Sequence, residues 1–212
     1  MASGSHASYK AKQFNLAGLN GISDKTLEMH FKLYEGYVEQ TNKLTEQLDD
    51  MARKGGASGT NPAFTEITRW LDFEYNGMIL HEYYFGNLKA QATAQASGEL
   101  KRTLEDNFGS FETFCTEFKA VGAMRGVGWA ILYQDPVTRK MSNQWITLHQ
   151  DGHLAGFKPL LVMDVWEHAF LLDYKPAERA KYIDAFFSNI DWDAVDKRFK
   201  AAAAERPALL AA

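Results

Sequence analysis

The sequence predicts an α+β fold: an N-terminal antiparallel helical hairpin, then a C-terminal domain in which a three-stranded antiparallel sheet is surrounded by helices. Three observations carry this. Two long helical periodicities flank the Gly-rich stretch Lys54-Gly55-Gly56-Ala57-Ser58-Gly59. After Gly126-Val127-Gly128 the period changes to short apolar, β-branched and aromatic runs. Helical patterning then returns and runs to the end.

The first helix starts at Ser23-Asp24, with Asp24 as the expected N-cap. Leu27, Phe31, Tyr34, Val38, Thr41 and Leu44 recur at three- and four-residue steps. The Gly-rich stretch is a loop by composition. A second helix is predicted over 63–89, with Trp70, Phe73, Ile79 and Tyr83 as its apolar positions. Two such helices joined by a flexible loop make a hairpin. The small, polar stretch 90–97 extends the helix or links onward. Helices follow over 98–107, stopped by Gly109, and over 111–124, with Phe114, Phe118 and Val121 inward. Strands are predicted at 129–133, 144–148 and 160–163, with Asp135-Pro136 as a turn. Helices over 178–188 and 192–204 close the chain. The domains are placed at 8–92 and 93–212.

Composition narrows the function. The chain has 212 residues, 46% hydrophobic and 24% charged, ordinary values for a globular protein with a sizeable core. Twenty-three Lys and Arg against 27 Asp and Glu give a net charge of −4, which argues against nucleic acid as a partner. No apolar run approaches the roughly 20 residues of a membrane helix. The start, MASGSHASYK, has no apolar segment of the signal-peptide kind and resembles an expression tag; His6 falls within it. The single cysteine, Cys115, excludes an intrachain disulfide, and a reducing, cytoplasmic setting is expected.

The remaining histidines are His30, His81, His149, His153 and His168. His30 and His81 fall near the middle of the two long helices, beside their aromatic faces, where antiparallel packing brings such residues together. Asp164 follows an apolar strand and His168 comes four residues later, so both can point to one spot. Three imidazoles and one carboxylate from three segments suit a redox-active iron or manganese ion, and the thiolates favoured by softer metals are missing. Other chemistry has little support. Gly126-Val127-Gly128 lacks the rest of a dinucleotide fingerprint, and His81-Glu82 is followed by Tyr83-Tyr84-Phe85 rather than by a second histidine.

Asp164-Val165-Trp166-Glu167-His168-Ala169-Phe170 resembles the D-x-W-E-H-A-Y signature of the iron/manganese superoxide dismutases. Other segments agree in order: Leu27-Glu28-Met29-His30, Tyr37-Val38, Tyr75-Asn76 through His81 to Phe85, Gly126-Val127-Gly128-Trp129, Arg179 to Tyr182, and Asn189-Ile190-Asp191-Trp192. The match runs from about residue 8 to 200. The resemblance implies one iron or manganese ion per subunit, with a slight lean to iron, held by His30, His81, Asp164 and His168. It implies disproportionation of superoxide to dioxygen and hydrogen peroxide in a homodimer, with Tyr37 as gateway and with Tyr37, Phe85, Trp129 and Trp166 as an aromatic shell. Two alternatives stand beside it: a metal-binding homologue with little dismutase activity, and a metal-free interaction module that keeps the fold.

The sequence departs from the family pattern in three places. His30 to Tyr37 is seven residues where many members have eight. At about 100° per residue, seven steps return to within roughly 20° of the same face, so a regular helix lets Tyr37 face the metal. The usual histidine of the first helix is replaced at Leu33-Tyr34, and its cross-dimer tyrosine partner by Leu171, so that bridge is not expected. The group next to the metal-bound solvent, often Gln, comes from one of two places. One holds Gly77; the other falls at His149 or Gln150, and a gap-free count back from Asp164 selects His149. His153 is then a surface or sheet-end residue. Glu167 is expected to reach His168 of a second subunit, since its neighbours Trp166 and Phe170 argue against full exposure. Arg179, with Lys32 as a weaker second, is expected to guide the anion.

Overall fold

The computed structural model describes residues 8–204, so His6 lies outside the described residues. Helix α1, Asp24–Arg53, buries Leu27, His30, Tyr34, Val38, Thr41 and Leu44 along one stripe, as the periodicity requires. Its N-cap is Ser23, one residue earlier than expected. The Ser23 hydroxyl accepts from the Thr26 amide at 3.2 Å, and Asp24 instead places a negative charge in the first turn. The helix is regular through residues 30–37, with no π-type widening. Helix α2, Pro62–Phe85, begins at an Asn61 cap with Pro at its first position.

Two features of α2 differ from expectation. It stops at Phe85 rather than Lys89, because the next backbone groups have partners elsewhere. The Asn87 side chain donates to the Tyr84 carbonyl and accepts from the Val162 amide, and the Lys89 amide donates to the Asn189 carbonyl. Leu88 then bridges Ile190, tying the hairpin exit to the C-terminal helices. Trp70 is also not inward: burial in α2 begins one turn later, at Glu74, and Trp70 is 55% exposed, stacked on Phe73.

Helices α3, Gly98–Phe108, and α4, Phe111–Gly122, bury Leu100, Leu104, Phe114 and Phe118; Val121 is only half-buried. The sheet follows: β1, Gly128–Gln134; β2, Met141–Thr147; β3, Lys158–Asp164. Its order is β2-β1-β3, all antiparallel. The central strand β1 is buried along its whole length. Each strand is longer than predicted, and Asp164 is the last residue of β3, paired with Trp129, rather than the first beyond it. Gly128, at φ +153°, is obligatory, since a Cβ there would lie 1.9 Å from the Ile146 carbonyl oxygen. The 3₁₀ turns Glu167–Ala169 and Pro176–Glu178 lead to α5, Arg179–Ser188, and α6, Trp192–Ala204. Arg198 of α6 donates to the carbonyls of Leu160 and Tyr83 and to Asn87, joining β3 to the end of α2. Among the described residues no helix is long and apolar enough to cross a membrane.

Candidate metal centre

His30, His81, Asp164 and His168 meet where the hairpin packs on the end of the sheet. One ligand-type atom from each lies within 4.8 Å of all the others. Asp164 is fully buried, with Oδ2 3.1 Å from His30 Nε2, 3.0 Å from His168 Nε2 and 3.6 Å from His81 Nε2. Its other oxygen, Oδ1, accepts the Trp166 amide at 2.8 Å, and its carbonyl accepts the Tyr182 hydroxyl at 2.6 Å. The carboxylate therefore cannot swing away.

His81 is set up as a neutral donor of a lone pair. His81 Nδ1 lies 2.6 Å from the Gly77 carbonyl, which can only accept, so the ring proton sits on Nδ1. Nε2 is then a bare lone pair, buried and without a hydrogen-bond partner, facing a carboxylate oxygen. Two acceptors so close in a dry site call for a cation between them. Burial lowers the pKa of His30 and of His81, with a neighbouring histidine adding to the effect at His81. Burial pushes the Asp164 carboxyl up, but attraction to His168 and hydrogen bonds from His168 and His30 outweigh it and hold it low. One carboxylate and three imidazoles fit a divalent or trivalent iron or manganese ion.

The aromatic residues named from the sequence surround this cluster. Ring-centroid distances are 5.1 Å for Tyr37–His81, 4.9 Å for Phe85–His30, 5.0 Å for Trp129–His81 and 5.7 Å for Trp166–His168.

A family model described as iron/manganese superoxide dismutases, C-terminal domain, matches residues 96–198. The iron superoxide dismutase of Aquifex pyrophilus is 38% identical over 187 residues, covering 87% of each chain. The chain belongs to the iron/manganese superoxide dismutase family. The manganese superoxide dismutase of Haloarcula marismortui is 34% identical over 182 residues, 84% of this chain and 86% of that one. The iron superoxide dismutase of Methanothermobacter thermautotrophicus is 34% identical over 183 residues, 84% and 87% of the two chains.

Against that family frame, His149 is fully buried and its Nε2 lies 2.8 Å from the Tyr37 hydroxyl; Gln150 points its side-chain oxygen back to the His149 amide. Gly77 leaves the space that the Tyr37 ring fills: a Cβ there would lie 2.7–3.0 Å from three ring atoms. His153 lies just beyond the end of β2, as a sheet-end residue, and not on the surface. It is half-buried, with Nε2 2.8 Å from the His149 carbonyl and Nδ1 2.8 Å from the Tyr133 hydroxyl. Glu167 is exposed on the single chain. Arg179 is a tethered charge, half-buried over the Trp145 ring, with Nη1 donating to the Gly126 carbonyl at 3.0 Å; Lys32 is exposed.

Sequence reasoning missed three contributors. Phe73 packs 4.5 Å from His149, and Tyr182 anchors the Asp164 carbonyl. Trp129 acts as more than a wall, since its Nε1 donates to His149 Nδ1 at 3.1 Å. The pairing of β1 with β2, Gly128 opposite Thr147, sets Trp129 beside the segment that carries His149. Tyr34 was visible as a departure from the family, but its partner Glu82 was not.

Proposed function

We propose that the chain disproportionates superoxide, two superoxide anions and two protons giving dioxygen and hydrogen peroxide, at one iron or manganese ion held by His30, His81, Asp164 and His168. The observation that carries this is the convergence of four ligand-type atoms within 4.8 Å around the unpaired His81 Nε2. The ion supplies the alternating one-electron oxidation and reduction. The lean is to iron, in keeping with the iron enzymes among the relatives at 38% identity.

The chain's own residues handle orientation and protons. Indole N–H can only donate, so Trp129 Nε1 fixes His149 Nδ1 as an acceptor. The His149 proton therefore sits on Nε2 and is donated to the Tyr37 oxygen. That leaves the Tyr37 O–H free to point elsewhere, towards an incoming anion. Burial raises the Tyr37 pKa, so the phenol keeps its proton at neutral pH and can offer it at Oη. Phe73, Trp129 and Trp166 keep bulk water from this relay, which strengthens each polar contact inside it. Arg179 is the anion guide in this reading; its charge survives burial, since an arginine stays protonated even when lowered.

The working unit in this reading is a homodimer. Support comes from Glu167, an exposed carboxylate beside the ligand His168, and from the neighbouring exposed Leu171 and Leu172, 40% and 48% accessible. The domains are read as 8–92 and 93–212, supported by the family's C-terminal model beginning at residue 96. A cytoplasmic setting is favoured by the lone, half-buried Cys115.

The test is metal analysis and superoxide removal after reconstitution with iron or with manganese. The expected result is about one ion per chain and activity with at least one metal, both lost in His168→Ala while the fold remains. A fully metal-loaded protein that does not accelerate superoxide decay overturns the reading.

A further inference from the structure

The N-terminal segment before α1 crosses both ligand helices. At its start Tyr9 exchanges two hydrogen bonds with Asn42 of α1, its amide to Oδ1 at 2.8 Å and its carbonyl from Nδ2 at 2.9 Å, and its ring meets Tyr75 of α2 edge-on at 5.9 Å. Further along, the Phe14 ring sits among Phe31 and Tyr34 of α1 and Phe85 of α2, at 6.3, 6.1 and 5.3 Å. Between these two anchors is a polar junction. The Lys12 amide donates to the Tyr34 hydroxyl at 2.9 Å, that hydroxyl donates to Glu82 Oε1 at 2.9 Å, and Lys12 Nζ pairs with Glu82 Oε2. Tyr34 is one helical turn after His30, and Glu82 directly follows His81. The junction thus joins α1 to α2 beside His30 and His81, the one histidine that each helix contributes.

We infer that residues 9–14 form a latch that sets the rate of metal release, with Lys12, Tyr34 and Glu82 as its bolt. The inference rests on the reading of His30 and His81 as ligands. An ion held by two helices leaves only when those helices part, and ligand geometry tolerates roughly 0.5 Å of drift before bonds weaken. Apolar packing alone can slide; a hydrogen-bonded junction between side chains one turn or one residue from the ligands resists it. Lys12, Tyr34 and Glu82 are positioning residues, since none lies within the ligand cluster.

The experiment measures release of iron or manganese from the loaded protein to excess chelator, by absorbance of the chelate. Glu82→Gln, Tyr34→Phe and Lys12→Ala are expected to release metal about tenfold faster or more, the scale for losing a residue that orients a ligand. Lys12→Arg keeps the ion pair and the backbone donor and is expected to stay slow. Leu104→Ala, a cavity in α3 away from the hairpin, lowers the melting temperature by a general route and is expected to leave release unchanged. Release rates in the three junction variants within twofold of a metal-loaded parent overturn the latch. So does equal acceleration by Leu104→Ala. A parent that takes up no metal overturns the ligand reading, and the latch with it.

Discussion

The hairpin and the sheet each deliver two of the four converging side chains, and they secure them differently. Asp164 and His168 are four residues apart on one stretch of chain, and three contacts fix Asp164 within it. The Trp166 amide fixes Oδ1, Tyr182 holds the carbonyl, and Trp129 is the ladder partner. His30 and His81 are 51 positions apart (81 − 30) on separate helices. Only His81 has a backbone acceptor, the Gly77 carbonyl, while His30 Nδ1 is buried with no partner. The sheet half is thus positioned by connectivity. The hairpin half is positioned by packing and by the strap laid across it. Changes in the first should abolish binding outright, and changes in the second should grade it.

The largest effect is expected at Asp164. Asp164→Ala removes the only carboxylate in the cluster and leaves three imidazoles with no anionic donor, a far weaker hold on a hard, highly charged ion. Metal content should fall to background and activity with it. Retention of a full ion per chain in this variant would mean that the charge of the sheet half is dispensable and that the hairpin histidines bind alone.

Acid should separate the halves next, in the metal-free protein. Burial lowers the pKa of His30 and His81, and that of His149 to about 4. A histidine pushed below its unfolded value of about 6.5 binds its proton more readily in the unfolded chain. Between about 6.5 and 4 the unfolded state therefore takes up protons that the folded state refuses, and stability falls as pH falls. At roughly 1.4 kcal/mol per tenfold change in proton affinity, the loss should reach a few kcal/mol. Thermal unfolding at pH 7 and pH 4.5 measures it. His149→Gln should flatten part of the slope; a slope unchanged in that variant would place the whole effect on the hairpin pair.

Much of this arrangement was legible in the sequence because helix periodicity fixes direction. The stripe of Leu27, Tyr34, Val38 and Leu44 already aimed His30 inward, and the seven-residue step aimed Tyr37 at the same side, where its ring stacks on His81. The sheet half was legible through its short motif, in which the spacing of Asp164 and His168 is nearly the whole geometry. What escaped was decided by atoms distant in sequence. The early end of α2 follows from pairing at Leu88 and Ile190, about a hundred positions apart. The exposure of Trp70 depends on where α2 begins to be covered, which periodicity does not encode. His153 gave no signal because its partners are a backbone carbonyl and the Tyr133 hydroxyl.

His149 stands on the sheet side but acts on a hairpin residue, so it tests whether the halves work together. His149→Ala should keep the metal, because His149 lies outside the four-residue cluster, and lower turnover by about 10–100-fold, the range for groups that orient or tune a metal site. His149→Gln, which can still donate to Tyr37, should recover part of it. Wild-type turnover in His149→Ala would detach Tyr37 from the sheet half.

The smallest and most local change is Gly77→Ala. A methyl at this position would lie 2.7, 2.9 and 3.0 Å from the Cδ1, Cε1 and Cγ atoms of Tyr37, closer than real side chains approach. These are atoms of a ring face, and the ring has little room to retreat: it stacks on His81 at 5.1 Å, with its hydroxyl bonded to His149. Overpacking of this kind costs about 1–3 kcal/mol. The easiest relief tilts the Tyr37 ring outward and breaks the bond to His149, while the Gly77 carbonyl, a backbone atom, goes on holding His81 Nδ1. Gly77→Ala should therefore keep its metal, melt at a lower temperature and lose turnover to about the level of His149→Ala. The double variant should then lose little more than either alone, because both remove one contact. Fully additive losses would show that the methyl acts through His81, and that the weak point of the hairpin half is His81 itself.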